Sequence, residues 1–137
     1  MKEQIIELFK NLNTEFIMNF SDIGLENYVE KIIKKASIIS IIKNDILIGF
    51  IAYYDNEPNK EMAFLTMIIV KEEFENLGYG KSLLEFSLKE IIGKGFKKYG
   101  LKVHVENKYA IRLYEKYGFV KIERELNFFY MEKKISQ

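Results

Sequence analysis

A run of two glycines, a lysine and a serine stands at the start of a helix-forming segment near the middle of the chain. The stretch reads ENLGYGKS at positions 75–82 and follows a strongly apolar segment. Glycine lets a backbone approach a ligand closely, and the N–H groups at a helix start attract anions. The chemistry that this stretch suggests is therefore the binding of phosphate groups, although a glutamate leads the run.

Three kinds of phosphate-binding loop share part of this spacing. The loop of nucleoside-triphosphate enzymes, G-x-x-x-x-G-K-[ST], requires a glycine where Glu75 stands. The dinucleotide fingerprint G-x-G-x-x-G requires a glycine where Leu83 stands. The third kind is a G-x-G turn that enters a helix directly after a buried strand, and Gly78 and Gly80 fit it. Taken alone, the two residues are equally compatible with an ordinary turn before a helix.

The elements around this stretch predict an α/β (α+β) domain. Apolar residues at helical spacing predict two helices in the first 36 residues, with FIMNFSD between them as a strand or a packed loop. The runs SIISIIK and ILIGFIAYY, joined at Asn44-Asp45, predict a hairpin. MAFLTMIIV predicts a central strand that is buried on both faces. After the glycine stretch come a helix, the strand GLKVHV, a short helix that Asn107 caps, and the strands FVKIE and NFFYMEK.

This order of elements predicts one domain over residues 1–137. We expect a mixed, mostly antiparallel sheet of about six to seven strands flanked by about four helices, with one parallel crossover around the helix that ENLGYGKS opens.

The composition narrows the classes of function. A net charge of +1 gives no general attraction to nucleic acid or to an acidic membrane surface. Cysteine is absent, which excludes disulfides and thiolate metal sites, and we expect no metal site. The charged N-terminus is unlike a signal peptide, and no apolar run approaches the ~20 residues that span a bilayer. We expect a cytoplasmic protein, a monomer or a homodimer, without nucleic-acid or membrane partners.

Two motifs together resemble the GNAT superfamily of N-acetyltransferases, which use acetyl-coenzyme A. The first family motif, [QR]-x-x-G-x-[GA], corresponds to Glu75, Gly78 and Gly80. The second, N-x-x-A-x-x-x-Y followed by a glycine–phenylalanine pair, corresponds to Asn107, Ala110, Tyr114, Gly118 and Phe119. The resemblance extends over positions 61 to 134, within a few residues. The first 36 residues match less well, because this chain opens with a predicted helix where the family has a strand.

The resemblance implies a GNAT-like fold and a binding site for acetyl-coenzyme A. It implies that strand backbone pairs with the pantetheine arm, through Ile68, Ile69 and Val70. It implies that loop amides hold the pyrophosphate, those of Asn76, Leu77, Gly78, Tyr79, Gly80, Lys81 and Ser82. Asn107 would hydrogen-bond the arm of the cofactor, beside Ala110.

The resemblance also places Tyr114 near the thioester sulfur. A free tyrosine titrates near pH ~10, so Tyr114 stays protonated at neutral pH and can act as general acid for the leaving thiolate. The alternative is that its ring only packs beside Ala110 and Tyr117.

The chain departs from the family at Glu75 and at the general base. A carboxylate cannot donate hydrogen bonds to phosphate, so we expect Glu75 to point outward and to pair with Lys71 or Lys81. Two positions that carry a glutamate in many relatives hold Phe64 and Lys102. His104, on the same strand as Lys102, is then a candidate base. Glu61, Glu106 or a chain of water molecules are the other candidates.

The predicted reaction moves an acetyl group to a primary amine of a small molecule or peptide, by direct attack in a ternary complex. A hydroxyl acceptor, such as a sugar, stays open, as does a non-catalytic module that only binds acyl-coenzyme A. The aromatic or soft residues available for an acceptor site are Phe16, Met18, Phe20, Tyr53, Tyr54, Phe128, Phe129 and Tyr130. From these we select Phe20, Tyr53, Tyr54 and Phe129 as candidate acceptor-binding residues.

Overall fold

The computed structural model describes residues 1–10 and 24–135, so the segment FIMNFSD lies outside the described residues. Its helices are α1 (Lys2–Lys10), α2 (Leu25–Lys35), α3 (Tyr79–Gly93) and α4 (Lys108–Lys116). Its strands are β1 (Ser37–Lys43), β2 (Ile46–Tyr54), β3 (Met62–Val70), β4 (Lys98–His104), β5 (Val120–Glu125) and β6 (Phe128–Lys134). A short 3-10 turn, Glu72–Phe74, connects β3 to α3.

The six strands form one sheet in the order β1-β2-β3-β4-β6-β5. Every neighbouring pair is antiparallel except β3 and β4, which are parallel and are connected through α3. The predicted mixed, mostly antiparallel sheet with four helices is therefore confirmed. Within the described part of the chain, no helix combines the length and the apolar character needed to cross a membrane.

Each face of the sheet is covered by a different pair of helices. α3 and α4 pack on one face, where Leu84, Ile91 and Tyr99 are fully buried. α1 and α2 pack on the other face against β2 and β3, where Ile5, Ile32 and Phe50 are fully buried, among others. β3 therefore contributes to both apolar cores, as its nearly unbroken run of apolar residues predicts.

β3 contains a β-bulge at Thr66. Leu65 pairs with Tyr53 and Met67 pairs with Ala52, so Thr66 is the extra residue on this strand. The side chain of Leu65 belongs to the core under α3 and α4, whereas that of Met67 belongs to the core under α1 and α2. The bulge thus exchanges the faces to which the later residues of β3 point.

β3 and β4 separate just before the same bulge. Their parallel pairing runs from Met62–Lys98 to Leu65–Leu101. β3 nevertheless continues to Val70, and β4 continues to His104 alongside β6. The two central strands therefore diverge and leave an opening inside the sheet.

Candidate active site

A groove of ≈ 700 Å³ occupies the opening between the two central strands. Its walls come from β3 beyond Leu65, the loop that leads into α3, the end of β4, and α4. The groove-lining residues include Ile68, Val70, Gly78, Gly80, Asn107, Ala110 and Tyr114. The two sequence motifs, which lie far apart along the chain, therefore meet at one groove.

The edge of β3 offers backbone hydrogen bonds to the groove. The Lys71 N–H donates to the Ile48 carbonyl of β2 at 2.7 Å. Backbone groups alternate between the two sides of a strand, so Ile69 also faces β2, while Ile68 and Val70 turn their N–H and C=O groups toward the opening. Of the three strand residues predicted to hold the pantetheine arm, Ile68 and Val70 therefore carry the available backbone groups.

The start of α3 presents a set of unpaired backbone donors. The first hydrogen bond of the helix runs from the Ser82 N–H to the Gly78 carbonyl at 3.0 Å. The N–H groups from Gly78 to Lys81 precede this bond and have no partner within the helix. Gly78, the N-cap, adopts φ of 90° and lines the groove. Gly78, Tyr79 and Gly80 line the groove, so their N–H groups, together with the positive end of the helix, can hold a pyrophosphate.

Part of the predicted phosphate loop has another role. The Ser82 amide is used inside the helix, so it cannot serve the phosphate as expected. Leu77, Lys81 and Ser82 do not line the groove, and Leu77 is 66% exposed. Asn76 and Tyr79 do line it. The part of the predicted loop that lines the groove is therefore shorter than the sequence predicts, because the helix begins at Tyr79.

Glu75 lines the groove and, among the described residues, makes no ion pair. The expected pairing with Lys71 or Lys81 is not formed, since Lys71 lies instead 4.0 Å from Glu73. Glu75 therefore lies beside the start of α3, in the groove, and no ion pair with another described residue offsets its charge.

Replacing Glu75 by glutamine is expected to tighten coenzyme A binding several-fold, or to leave it unchanged, because one negative charge beside the phosphates disappears. Isothermal titration with coenzyme A measures this effect. Glu73→Gln is the matched control, since Glu73 is exposed on the same connection but does not line the groove. Weaker binding by Glu75→Gln alone would show that the carboxylate contributes a favourable contact.

Asn107 caps α4 and faces the groove. Its Oδ1 accepts a hydrogen bond from the Ala110 N–H at 3.3 Å. The cap uses the oxygen of the side chain, so the NH₂ group is the part that a carbonyl of a ligand arm would meet. The side chain of Asn107 can thus cap α4 through its oxygen and contact a ligand in the groove through its NH₂ group.

Asn107→Asp separates these two roles, because aspartate keeps the capping oxygen and loses the NH₂ donor. We expect an unchanged melting temperature and about tenfold weaker binding of acetyl-coenzyme A. Asn107→Ala should lose about 1 kcal/mol of stability as well. Thermal melts and titration calorimetry on both variants test this, and wild-type affinity in the aspartate variant would contradict the assigned contact.

Tyr114 lies in the wall of the groove on α4 and is 8% exposed. Its ring packs edge-on against Phe119, with centroids 5.8 Å apart. Burial raises the pKa of Tyr114 to about 12, so the hydroxyl keeps its proton throughout the neutral range. The position suits a proton donor, and the ring packs in the core as well.

His104 has a structural environment outside the groove. Its Nδ1 accepts a hydrogen bond from the Glu106 N–H at 3.1 Å, and its ring packs edge-on against Phe128. It is buried and does not line the groove. The structure therefore does not bring the candidate base together with Tyr114.

Lys102 lies two residues before His104 on the same strand. It lines the groove and pairs with Glu125 at 3.2 Å.

The predicted acceptor residues are largely placed elsewhere. Tyr53 is 2% exposed and packs edge-on against Tyr99, so it is a core residue. Phe129 packs against the core under α3 and α4, with Lys121 over its ring at 4.5 Å. Tyr54 is half-buried at the end of β2 and does not line the groove. Phe20 lies outside the described residues.

Thr66 is one of the groove residues that the sequence does not single out, and Phe128 lines the groove where the sequence favours Phe129. Phe128 pairs with His104 across β4 and β6, so it lies on the face opposite to Phe129. Knowing the register of these strands would have selected Phe128. Thr66 has no such signal, because only the bulge gives it its position.

A family model described as the acetyltransferase (GNAT) family matches residues 5–119 of the chain. A mycothiol acetyltransferase from Jonesia denitrificans is 29% identical over 82 residues, which are 60% of this chain and 26% of that protein. The chain therefore spans about a quarter of the length of this relative.

Solved structures resemble the whole chain. A PaiA N-acetyltransferase from Thermoplasma acidophilum, in complex with coenzyme A, is 25% identical with a TM-score of 0.74, over 97% of this chain and 92% of the other. A GNAT-family acetyltransferase from Streptococcus pneumoniae shares the fold, with 21% identity and a TM-score of 0.76 over 98% and 93%. With the family model matching residues 5–119, which are most of its length, this chain belongs to the acetyltransferase (GNAT) family.

Proposed function

We propose that the protein transfers the acetyl group of acetyl-coenzyme A to a primary amine by direct attack in a ternary complex. The observation that carries this proposal is the single groove that connects the start of α3 with Tyr114. A phosphate-binding end and a proton donor on one continuous path match a donor with a pyrophosphate at one end and a thioester at the other. N-acetyltransferases among the similar structures favour an amine over a hydroxyl.

In this proposal, different groove residues contact different parts of acetyl-coenzyme A. Amides at the start of α3 hold the pyrophosphate, and the backbone of Ile68 and Val70 pairs with the pantetheine arm. The Asn107 amide fixes the same arm from the opposite wall. The thioester then lies beside Tyr114, which is the proposed general acid.

The proposed chemistry balances as follows. A neutral amine attacks the thioester carbonyl, and a new C–N bond forms as the carbonyl oxygen becomes an oxyanion. A backbone N–H of the diverging part of β3 stabilises that charge. The oxyanion re-forms the carbonyl as the C–S bond breaks, and the Tyr114 hydroxyl gives its proton to the leaving thiolate. The former amine loses a proton to water, and water can return a proton to Tyr114. The carboxylates that line the groove, Glu72 and Glu75, belong to the connection between β3 and α3, and His104 does not line it.

Release of free thiol from acetyl-coenzyme A tests the proposal. The amine acceptors are spermidine, glucosamine, phenethylamine and the dipeptide alanylalanine, and glucose serves as the hydroxyl-only control. We expect turnover with at least one amine, an N-acetylated product in the mass spectrum, and none with glucose. Calorimetric binding of acetyl-coenzyme A without turnover of any amine would overturn the proposal and identify a non-catalytic binding module.

A further inference from the structure

We propose that the hydroxyl groups of Thr66 and Tyr28 form a binding site for the acceptor nucleophile. Thr66 would contact the attacking nitrogen directly, and Tyr28 would hold Thr66 in position. This inference rests on the proposed function and adds residues that neither sequence motif contains.

Thr66 occupies the point where the sheet opens. It is the extra residue of the β3 bulge, and the pairing of β3 with β4 ends one residue earlier at Leu65. It lines the groove and is half-buried. The donor arm that pairs with Ile68 and Val70 must lead its thioester toward this point or away from it, and Tyr114 on the opposite wall favours the first direction.

Tyr28 reaches Thr66 from a different layer of the protein. The Tyr28 hydroxyl lies 2.9 Å from Thr66 Oγ1. Its ring projects from α2 and packs edge-on against Phe9 of α1, with centroids 6.2 Å apart. Burial raises the pKa of Tyr28, so the hydroxyl stays protonated. A helix that is anchored in its own core thus fixes the rotamer of a groove residue.

The hydrogen-bonding capacity of this pair suits a nucleophile. A threonine hydroxyl has one donor hydrogen and two acceptor lone pairs. If Tyr28 donates to Thr66, one lone pair and the hydrogen of Thr66 remain; if Thr66 donates, both of its lone pairs remain. In either arrangement, Thr66 can accept an N–H of the acceptor, which directs the nitrogen lone pair toward the thioester.

The charges around the pair favour a neutral amine. Lys102 is the charged residue on the neighbouring part of the groove wall, and Phe128 is the apolar one. The Lys102 ammonium is paired with Glu125 at 3.2 Å, so neither Lys102 nor the hydroxyl pair offers an unpaired negative charge to a protonated amine. The hydroxyl pair therefore suits the reactive, deprotonated form of the acceptor.

The test compares Thr66→Val, which has the same shape without the hydroxyl, with Thr66→Ser, which restores it, and with Tyr28→Phe. The assay uses acetyl-coenzyme A and whichever of the four amines above the wild type turns over fastest. We expect Thr66→Val to lower kcat/KM for the amine at least tenfold, with KM for acetyl-coenzyme A changed less than twofold. Thr66→Ser should stay within threefold of wild type, and Tyr28→Phe should fall between the two.

A purely structural role predicts a different pattern. In that case, the KM values for both substrates would change together with the melting temperature, and Thr66→Ser would not restore the amine parameter selectively. Wild-type kinetics in Thr66→Val, with an active wild type, would overturn this inference and leave the proposed function intact. Absence of amine turnover in the wild type would overturn the proposed function, and this inference with it.

Discussion

Tyr114→Phe is expected to lower kcat by about 100-fold, because a positioned general acid contributes at least that factor. Binding of acetyl-coenzyme A should change less than twofold, since the phenylalanine ring preserves the packing against Phe119. Stopped-flow or steady-state thiol release gives kcat, and titration calorimetry gives the dissociation constant of the donor.

Tyr117→Phe is the matched control for this substitution. Tyr117 follows directly after α4, and its hydroxyl donates to Glu85 on α3 at 2.7 Å, outside the groove. We expect kcat to stay within twofold of wild type. An equal loss in both variants would assign the effect to the helix rather than to proton donation, and full activity of Tyr114→Phe would exclude the acid role.

The pH dependence offers a separate measurement on the same residue. With its pKa raised to about 12, Tyr114 keeps its proton well above neutrality. A wild-type rate that holds or rises up to about pH 10 is therefore expected, because the free amine becomes more abundant while the acid stays protonated. A decline with a midpoint near pH ~8 would show that another group controls the alkaline side.

Gly78→Ala is expected to weaken coenzyme A binding at least tenfold. Gly78 has φ of 90°, a conformation that L side chains rarely adopt, and it lines the groove at the proposed phosphate site. An added Cβ would meet no atom of the protein within 4 Å, so we expect it to take space that the phosphates would use. The strain alone should cost about 1 kcal/mol of folding stability.

Gly95→Ala separates strain from ligand binding. Gly95 follows the other end of the same helix, with φ of 83° and no atom within 4 Å of an added Cβ. Both variants should lose similar stability in thermal melts, but only Gly78→Ala should lose affinity for coenzyme A. Equal affinity in the two variants would remove Gly78 from the phosphate site.

The sequence predicts most of the fold and finds the two motifs that line the groove. Periodicity finds the helices, β-rich runs find the strands, and two spaced motifs identify the groove that they form. These features depend on local patterns or on short spacings along the chain. Gly78, Asn107 and Tyr114, which belong to these motifs, line one groove.

The residues around the proposed acceptor site are harder to predict from the sequence, because they depend on the face of the sheet to which each strand residue points. A single extra residue at Thr66 reverses the faces of the rest of β3. The choice between Phe128 and Phe129 depends in the same way on the register of β6 against β4. The exact start of α3 is also difficult to predict. A shift of one residue decides whether the Ser82 N–H is used inside the helix or is available to a ligand. None of these properties is encoded in the apolar pattern alone.

The divergence of β3 and β4 also bears on how the protein avoids unwanted self-association. An unpaired strand edge usually invites another polypeptide to add to the sheet. The edge from Thr66 to Val70 is instead recessed between two strands of its own sheet, with α4 along one side of the opening. A polypeptide strand needs room for side chains on both faces, whereas an unbranched linear molecule does not. The architecture therefore keeps a hydrogen-bonding edge available to a slender ligand while denying it to a second copy of the chain.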